Sequence, residues 1–228
     1  MSQRPDGRRS AAGGGFSGCL KPFRWQILAM CNCYRIQPQR GSAKDLHEAI
    51  SAAAESLARS LVRKSDPGVV VTAGPRVEVM RWGFHRSFHP AVNNARSDKL
   101  VAGMWAAAYR ERRCVIPVTL FYEWGRAVAG RKPAFEFGDP AGDFLWVAGI
   151  WEEHPEIGRC YSMVTTAAAP LMAPIHDRMP AVLPPSDAAA FLHGGPWSFR
   201  PFAGPLTVTP CASPLARPQQ PDEQPGLW

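Results

Sequence analysis

The sequence has no long hydrophobic run. Its most apolar stretch, residues 144–150, falls far short of the roughly 20 residues a helix needs to cross a bilayer. A helical membrane-spanning protein is thereby excluded. Charged residues are also sparse, at 20%, which excludes a disordered polyampholyte. The 6 cysteines, at 19, 31, 33, 114, 160 and 211, form no C-x-x-C pair and no zinc-ribbon spacing. No secretory signal is legible. The apolar residues Ile27, Leu28, Ala29 and Met30 are too few, and Ser, Ala and Gly follow the Arg8-Arg9 pair. These features predict an intracellular protein with reduced thiols. A helical bundle is disfavoured by 23 prolines and 20 glycines, which instead predict many short elements joined by turns.

What is present suits one sizeable core: 228 residues, 46% hydrophobic and 10% aromatic. The net charge of +7 is uneven, because residues 1–29 hold five cationic residues against Asp6, a net +4. The mildly basic remainder tolerates nucleic acid without demanding it. Residues 1–29 are dominated by Arg, Ser, Ala and Gly and show no hydrophobic period, so they read as a disordered extension or a mis-assigned start.

The first patterned segment is a short strand at 30–35. Ser42 and Asp45 then resemble a capping box, and Leu46, Ala49, Ile50, Ala53, Leu57 and Leu61 predict one apolar helix face. Asp66-Pro67-Gly68 is the expected stop. Strands follow at 69–72 and 76–80 around a Gly74-Pro75 turn. A second helix is predicted over 98–110, with Leu100, Val101, Met104, Trp105 and Ala108 facing the core. Further strands are expected at 113–118, 134–137, 144–150 and 159–166, with a short helix at 186–194. The segment after Pro210 is rich in Pro and Gln and reads as a loose tail over 211–228. This order predicts an α+β domain over 30–210 with a twisted, largely antiparallel sheet.

Polar clusters interrupt the apolar pattern at 30–34, 93–96, 121–124 and 176–180. Cys31 is either a small buried hydrophobe or a nucleophile. Cys31 and Cys33 share a strand face and would supply only half of a metal site. Glu123, between Tyr122 and Trp124, is either a strand-end carboxylate with its head in water or a buried group tuned for proton transfer. His176 is either a loop histidine bonded to backbone or a proton shuttle. Asn94 and Arg96 can cap and pair structurally, or can anchor a substrate and its phosphate.

Taken in order, these motifs resemble one family. Met-Cys-Asn-x-Tyr lies at 30–34, Trp-Gly-Phe at 82–84 and Asn-Asn-Ala-Arg-Ser-Asp at 93–98. Arg-Arg-Cys-x-x-Pro lies at 112–117, Phe-Tyr-Glu-Trp at 121–124 and Ala-Gly-Ile-Trp at 148–151. Thr-Thr-x-Ala lies at 165–168 and His-Asp-Arg-Met-Pro at 176–180. Together they are similar to the SRAP family, the SOS response-associated peptidases, also called abasic-site processing proteins.

The resemblance implies a barrel-like sheet flanked by a few helices. It implies a protein that crosslinks to abasic sites in single-stranded DNA, shielding the lesion in the DNA damage response. By resemblance Cys31 is the nucleophile, Asn94 and Glu123 its partners and His176 the acid/base. Arg96 is implied as a phosphate contact and Thr165 as a residue lining the pocket. Trp82, Phe84 and Trp124 either stack on bases or pack in the core. No metal or other cofactor is expected, and the expected state is a cytoplasmic monomer, nucleoid-associated on damaged DNA. The alternatives are a cysteine-type (auto)peptidase and a noncatalytic single-stranded DNA binder.

Two features depart from the family pattern. Cys31 is not residue 2, since 29 residues precede Met30 and leave 199 of the 228. Translation from Met30, or cleavage of the Met30–Cys31 bond, is expected to free the Cys31 amine. The Asn-x-x-Pro segment common in the family is replaced by Val62-Arg63-Lys64-Ser65-Asp66-Pro67.

Overall fold

A computed structural model describes residues 31–38 and 45–216. The first half of this part builds β1 (Cys33–Arg35), α1 (Asp45–Glu55), β2 (Leu61–Arg63), β3 (Pro67–Thr72) and β4 (Arg76–Trp82). A short hairpin follows, β5 (Phe84–Arg86) and β6 (His89–Val92), then β7 (Asn94–Arg96) and α2 (Ala106–Glu111). The second half supplies β8 (Arg113–Val118), β9 (Leu120–Trp124), β10 (Ala134–Gly138), β11 (Leu145–His154) and β12 (Gly158–Ala167). It ends with β13 (Arg178–Pro180), β14 (Val182–Leu183), α3 (Pro185–Leu192) and β15 (Thr207–Cys211).

Five strands close into a barrel in the order β8, β3, β4, β12, β11 and back to β8. All of these pairings are antiparallel except β4 with β12. Closure removes the exposed edges of the barrel strands. A second antiparallel sheet, β15-β10-β9-β1-β2, packs beside it. The α+β class is therefore as the sequence pattern predicts, and the barrel-like sheet as the resemblance implies. No helix among the described residues is long and apolar enough to cross a membrane.

The core explains why some strands were easy to read. Every residue of β8 is buried, and so are Val69, Val70 and Val71 of β3. Such strands have both faces covered and read as continuous apolar runs. Across the barrel interior the hydroxyls of Tyr34 and Tyr161 meet at 2.5 Å beneath Gly68. A Cβ at Gly68 would lie 2.1 Å from Tyr161 Oη and 2.3 Å from Tyr34 Oη, so only glycine admits this approach.

Several boundaries differ from expectation. α1 ends at Glu55, and Leu61 lies in β2 opposite Arg35. Its apolar spacing reflects strand burial rather than a fifth helical turn. Ala49 is exposed while Ile50 and Ala54 face the core. The Ser42 cap lies outside the described residues. Asp66-Pro67-Gly68 opens β3 instead of ending a helix. The predicted helix over 98–110 breaks into 3-10 turns at Ser97–Lys99 and Gly103–Trp105 before α2. Gly103 adopts φ +59°, which a continuous helix forbids, and Val101 projects 79% exposed instead of entering the core. At the C-terminal end, β15 runs through Cys211, which pairs with Ala134, so the ordered part passes the expected boundary at 210.

Candidate active site

The site forms where the start of β1 meets β9. The pairing Tyr34 with Phe121 and Arg35 with Leu120, continued backward, brings residues 31 and 32 level with 124 and 123. The backbone nitrogen of Cys31 donates to Glu123 Oε1 at 2.8 Å. Glu123 is 1% exposed, and its other oxygen, Oε2, has no hydrogen-bond partner among the described residues. Burial pushes the Glu123 carboxyl up to about 8, against the opposing N–H bonds from Cys31 and Trp124. The nearby charge of Asp177 raises it further.

The rest of Cys31 is held as firmly. Its carbonyl accepts from Asn93 Nδ2 at 3.1 Å and from Asn94 Nδ2 at 3.4 Å. Its thiol donates to the Cys33 carbonyl at 3.4 Å. The thiol is fully buried, and burial, with Glu123 and Cys33 nearby, pushes it well above the usual thiol range. Asn93 and Asn94 are placed by the parallel pairing of β7 with β12, where Asn94 faces Met163. The Asn93 carbonyl also accepts from Trp82 Nε1 at 3.0 Å. Sequence reasoning chose Asn94 and passed over Asn93, although the shorter bond comes from Asn93.

His176 enters on the turn before β13. Its Nδ1 accepts the Arg178 N–H at 3.1 Å. Asp177 Oδ1 also lies 3.1 Å from that Nδ1. Thr165 is fully buried. Its carbonyl accepts from Arg178 Nη2 at 2.5 Å, and its hydroxyl at 3.2 Å. Thr165 therefore orients a cation instead of facing solvent. Arg96 is exposed and forked onto Asp98 at 3.0 and 2.8 Å.

The aromatic residues correct an expectation. Trp82 and Phe84 are both fully buried. Trp82 packs edge-on to Tyr34 at 5.1 Å, and Phe84 packs on Trp105 at 5.3 Å. Neither has a free face to offer a base, so the packing alternative holds for both. Trp124 is partly exposed beside the site and donates to Ser213 Oγ at 3.3 Å. Among the described residues the large exposed aromatic is Phe88, 70% exposed at the tip of the β5–β6 hairpin between Arg86 and His89. A single aromatic between an arginine and a histidine in a turn was the available signal for it. Lys64 was also missed. It is half-buried in the turn between β2 and β3, where burial holds its ammonium below the usual lysine range while the charge of Cys31 opposes that shift.

The family sequence model described as SOS response associated peptidase (SRAP) matches residues 30–207. The chain belongs to the SRAP family. Among its relatives, the abasic site processing protein HMCES of Xenopus tropicalis is 30% identical over 141 residues, 48% of this chain and 42% of that one. The abasic site processing protein YoqW of Bacillus subtilis (strain 168) is 36% identical over 76 residues, 32% of this chain and 34% of that one. The matches thus span less than half of either curated relative. Two solved structures share the fold at low identity. A Bacteroides thetaiotaomicron protein gives a TM-score of 0.64 at 18% identity, covering 80% of this chain and 93% of its own. A Bordetella bronchiseptica protein gives 0.61 at 18%, covering 80% and 100%. In this SRAP domain the matched region begins one residue before Cys31 and includes Asn93, Asn94, Glu123, Thr165 and His176.

Proposed function

We propose that this SRAP protein captures abasic sites in single-stranded DNA through a thiazolidine formed on Cys31. The observation that carries this reading is the 2.8 Å contact between the Cys31 nitrogen and the buried Glu123 carboxylate. A carboxylate in hydrogen-bond contact with that nitrogen is placed to take a proton from an α-ammonium, whose ordinary pKa is about 7.7–8.0.

The chemistry requires that nitrogen to be a free amine, hence a chain that begins at Cys31. Production from Met30 with removal of the methionine, or cleavage of the Met30–Cys31 bond, meets that need. Glu123 then takes a proton from the α-ammonium. The amine adds to the aldehyde of the opened sugar, and the carbinolamine loses water to give an imine. The Cys31 sulfur adds to the imine carbon and closes a five-membered ring, with its proton passing to the ring nitrogen. One water leaves overall. Asn93 and Asn94 fix the Cys31 carbonyl, so that the amine and thiol face the same carbon. His176 Nε2–H is the candidate donor to the sugar oxygen during ring opening.

DNA is held by charge and stacking. Arg96 exchanges Asp98 for a phosphate, and Phe88 offers a face to a base. A cysteine peptidase would instead activate its thiol with an imidazole. Here the Cys31 thiol is directed to the Cys33 carbonyl, and the His176 Nδ1 accepts from backbone, which favours the amine chemistry over the peptidase alternative.

The test uses the 199-residue form that begins at Met30, with loss of Met30 checked by intact mass. It is mixed with a single-stranded oligonucleotide carrying one abasic site. A band that survives SDS and heat, absent with undamaged DNA, is expected. Absence of that band from correctly processed protein overturns the reading.

A further inference from the structure

Away from Cys31, three residues distant in sequence meet at one end of the barrel. His85 lies in β5, His154 ends β11, and Glu156 lies in the turn leading to β12. We infer that His85, His154 and Glu156 form a binding site for a divalent transition-metal ion of the Zn2+ class, clipping the β5–β6 hairpin to the barrel.

Geometry is the first support. His85 Nδ1 and His154 Nε2 are 3.4 Å apart. Two ligand bonds of about 2.05 Å opened to a tetrahedral angle separate their nitrogens by about 3.3–3.4 Å. The rings stand at 85° with centroids 5.0 Å apart, in an edge-on contact that keeps the two residues side by side. One ligand atom from each of the three residues lies within 4.8 Å of the other two.

The backbone is the second support. The β5–β6 register shifts between Phe84 and Arg86, which makes His85 the irregular residue of the hairpin. A bulge re-aims a side chain, and here it turns His85 toward the end of β11. The His85 carbonyl is itself held by Arg86 Nη1 at 2.7 Å. Arg86 is forked onto Glu152 at 2.5 and 2.8 Å, so its charge is matched and does not repel a cation.

The donors select the ion. Two imidazoles and one carboxylate suit Zn2+, with Ni2+ and Cu2+ as competitors, whereas Mg2+ and Ca2+ require oxygen shells. One contact must yield. The Glu156 N–H donates to His154 Nδ1 at 3.2 Å, and an ion on Nε2 leaves the ring proton on Nδ1. Glu156 is exposed on a turn, so that segment has room to adjust.

The test uses the untagged chain carrying Cys31→Ser, which removes the Cys31 thiol as a competing ligand. Stoichiometric ZnCl2 is expected to raise the melting temperature and to bind in calorimetry at one equivalent, while MgCl2 does neither. His154→Ala is expected to abolish the rise and Glu156→Gln to reduce it. Should a histidine variant fold poorly, the imidazole NMR signals of the parent provide a second reading: Zn2+ is expected to shift those of His85 and His154. A thermal rise that persists in His154→Ala, or Zn2+ binding that leaves both imidazoles unshifted, overturns the inference.

Discussion

Glu123 Oε1 accepts the backbone N–H of Cys31 at 2.8 Å, so a buried carboxylate sits directly on the nitrogen that the proposed chemistry would use. The relation also makes stability depend on pH. In the chain with residues before Cys31, that nitrogen is a neutral amide and the Glu123 carboxyl is raised to about 8 by burial. The folded state then binds a proton that the unfolded state has released. Its contribution is complete below the unfolded pKa, near 4.5, and is lost as pH rises through about 8. A tenfold difference in proton affinity between the two states is worth about 1.4 kcal/mol. The melting temperature of the 228-residue chain is therefore expected to fall between pH 5 and 8 more steeply than that of Glu123→Gln. Equal slopes would contradict a raised Glu123.

A free Cys31 amine changes the sign of the neighbouring charge. An α-ammonium 2.8 Å from the carboxylate favours its ionised form. The processed protein is expected to lose most of the pH dependence just described. The comparison needs only two melting curves per pH, one for each N-terminus. If both forms show the same dependence, the amine does not occupy the position of the Cys31 nitrogen.

Amine and thiol chemistry separate on substitution. Cys31→Ser, processed to expose the serine amine, retains the nucleophile for the imine but has no sulfur to close the stable ring. It is expected to give no heat-stable adduct with abasic DNA, yet to be trapped when cyanoborohydride reduces the imine. Cys31→Ser that forms the full heat-stable adduct without reductant would exclude a thiazolidine.

Asn93 is hydrogen-bonded to the Cys31 backbone, so it is expected to act through that residue. Its Nδ2 holds the Cys31 carbonyl at 3.1 Å, and its own carbonyl receives Trp82 Nε1 at 3.0 Å. Asn93→Ala removes the shorter of two bonds to a buried acceptor, a loss of about 0.5–1.5 kcal/mol while the Asn94 bond remains. The crosslinking rate is expected to fall at least tenfold while affinity for undamaged single-stranded DNA stays unchanged. A parallel loss of affinity would place Asn93 in the DNA contact instead.

How much of this was legible in the sequence follows from the physics of each element. β8 was read to the residue because both its faces are buried and its apolar run has no competing period. The helix over 98–110 was misjudged because apolar spacing does not register Gly103 at φ +59°. Cys31, Glu123 and His176 stood out as polar groups in apolar surroundings. Asn93 did not, because two adjacent asparagines carry the same signal and only the β7–β12 register shows that both reach Cys31. Trp82 and Phe84 were open between two uses, since an aromatic residue in a strand looks alike whether it meets a base or the core. His85 and His154 are 69 positions apart, and only the bulge and the end of β11 bring them together.

The aromatic assignment divides stability from DNA affinity. Trp82 is fully buried against Tyr34 and Tyr161, so Trp82→Ala is expected to destabilise the fold by about 3–5 kcal/mol, as large aromatic truncations in cores do. Phe88 is 70% exposed and contributes little to the core, so Phe88→Ala is expected to leave the melting temperature within a degree or two. If its ring stacks on a base, the same change weakens single-stranded DNA binding by about 1–3 kcal/mol, roughly a 5- to 150-fold rise in Kd. Arg96→Ala removes a cation instead, so it is expected to weaken binding at low salt and to flatten the dependence on salt. Fluorescence anisotropy across a salt series separates the two, because the stacking loss persists at high salt and the phosphate loss does not. A Phe88→Ala protein that binds normally at every salt concentration would remove this hairpin from the DNA surface.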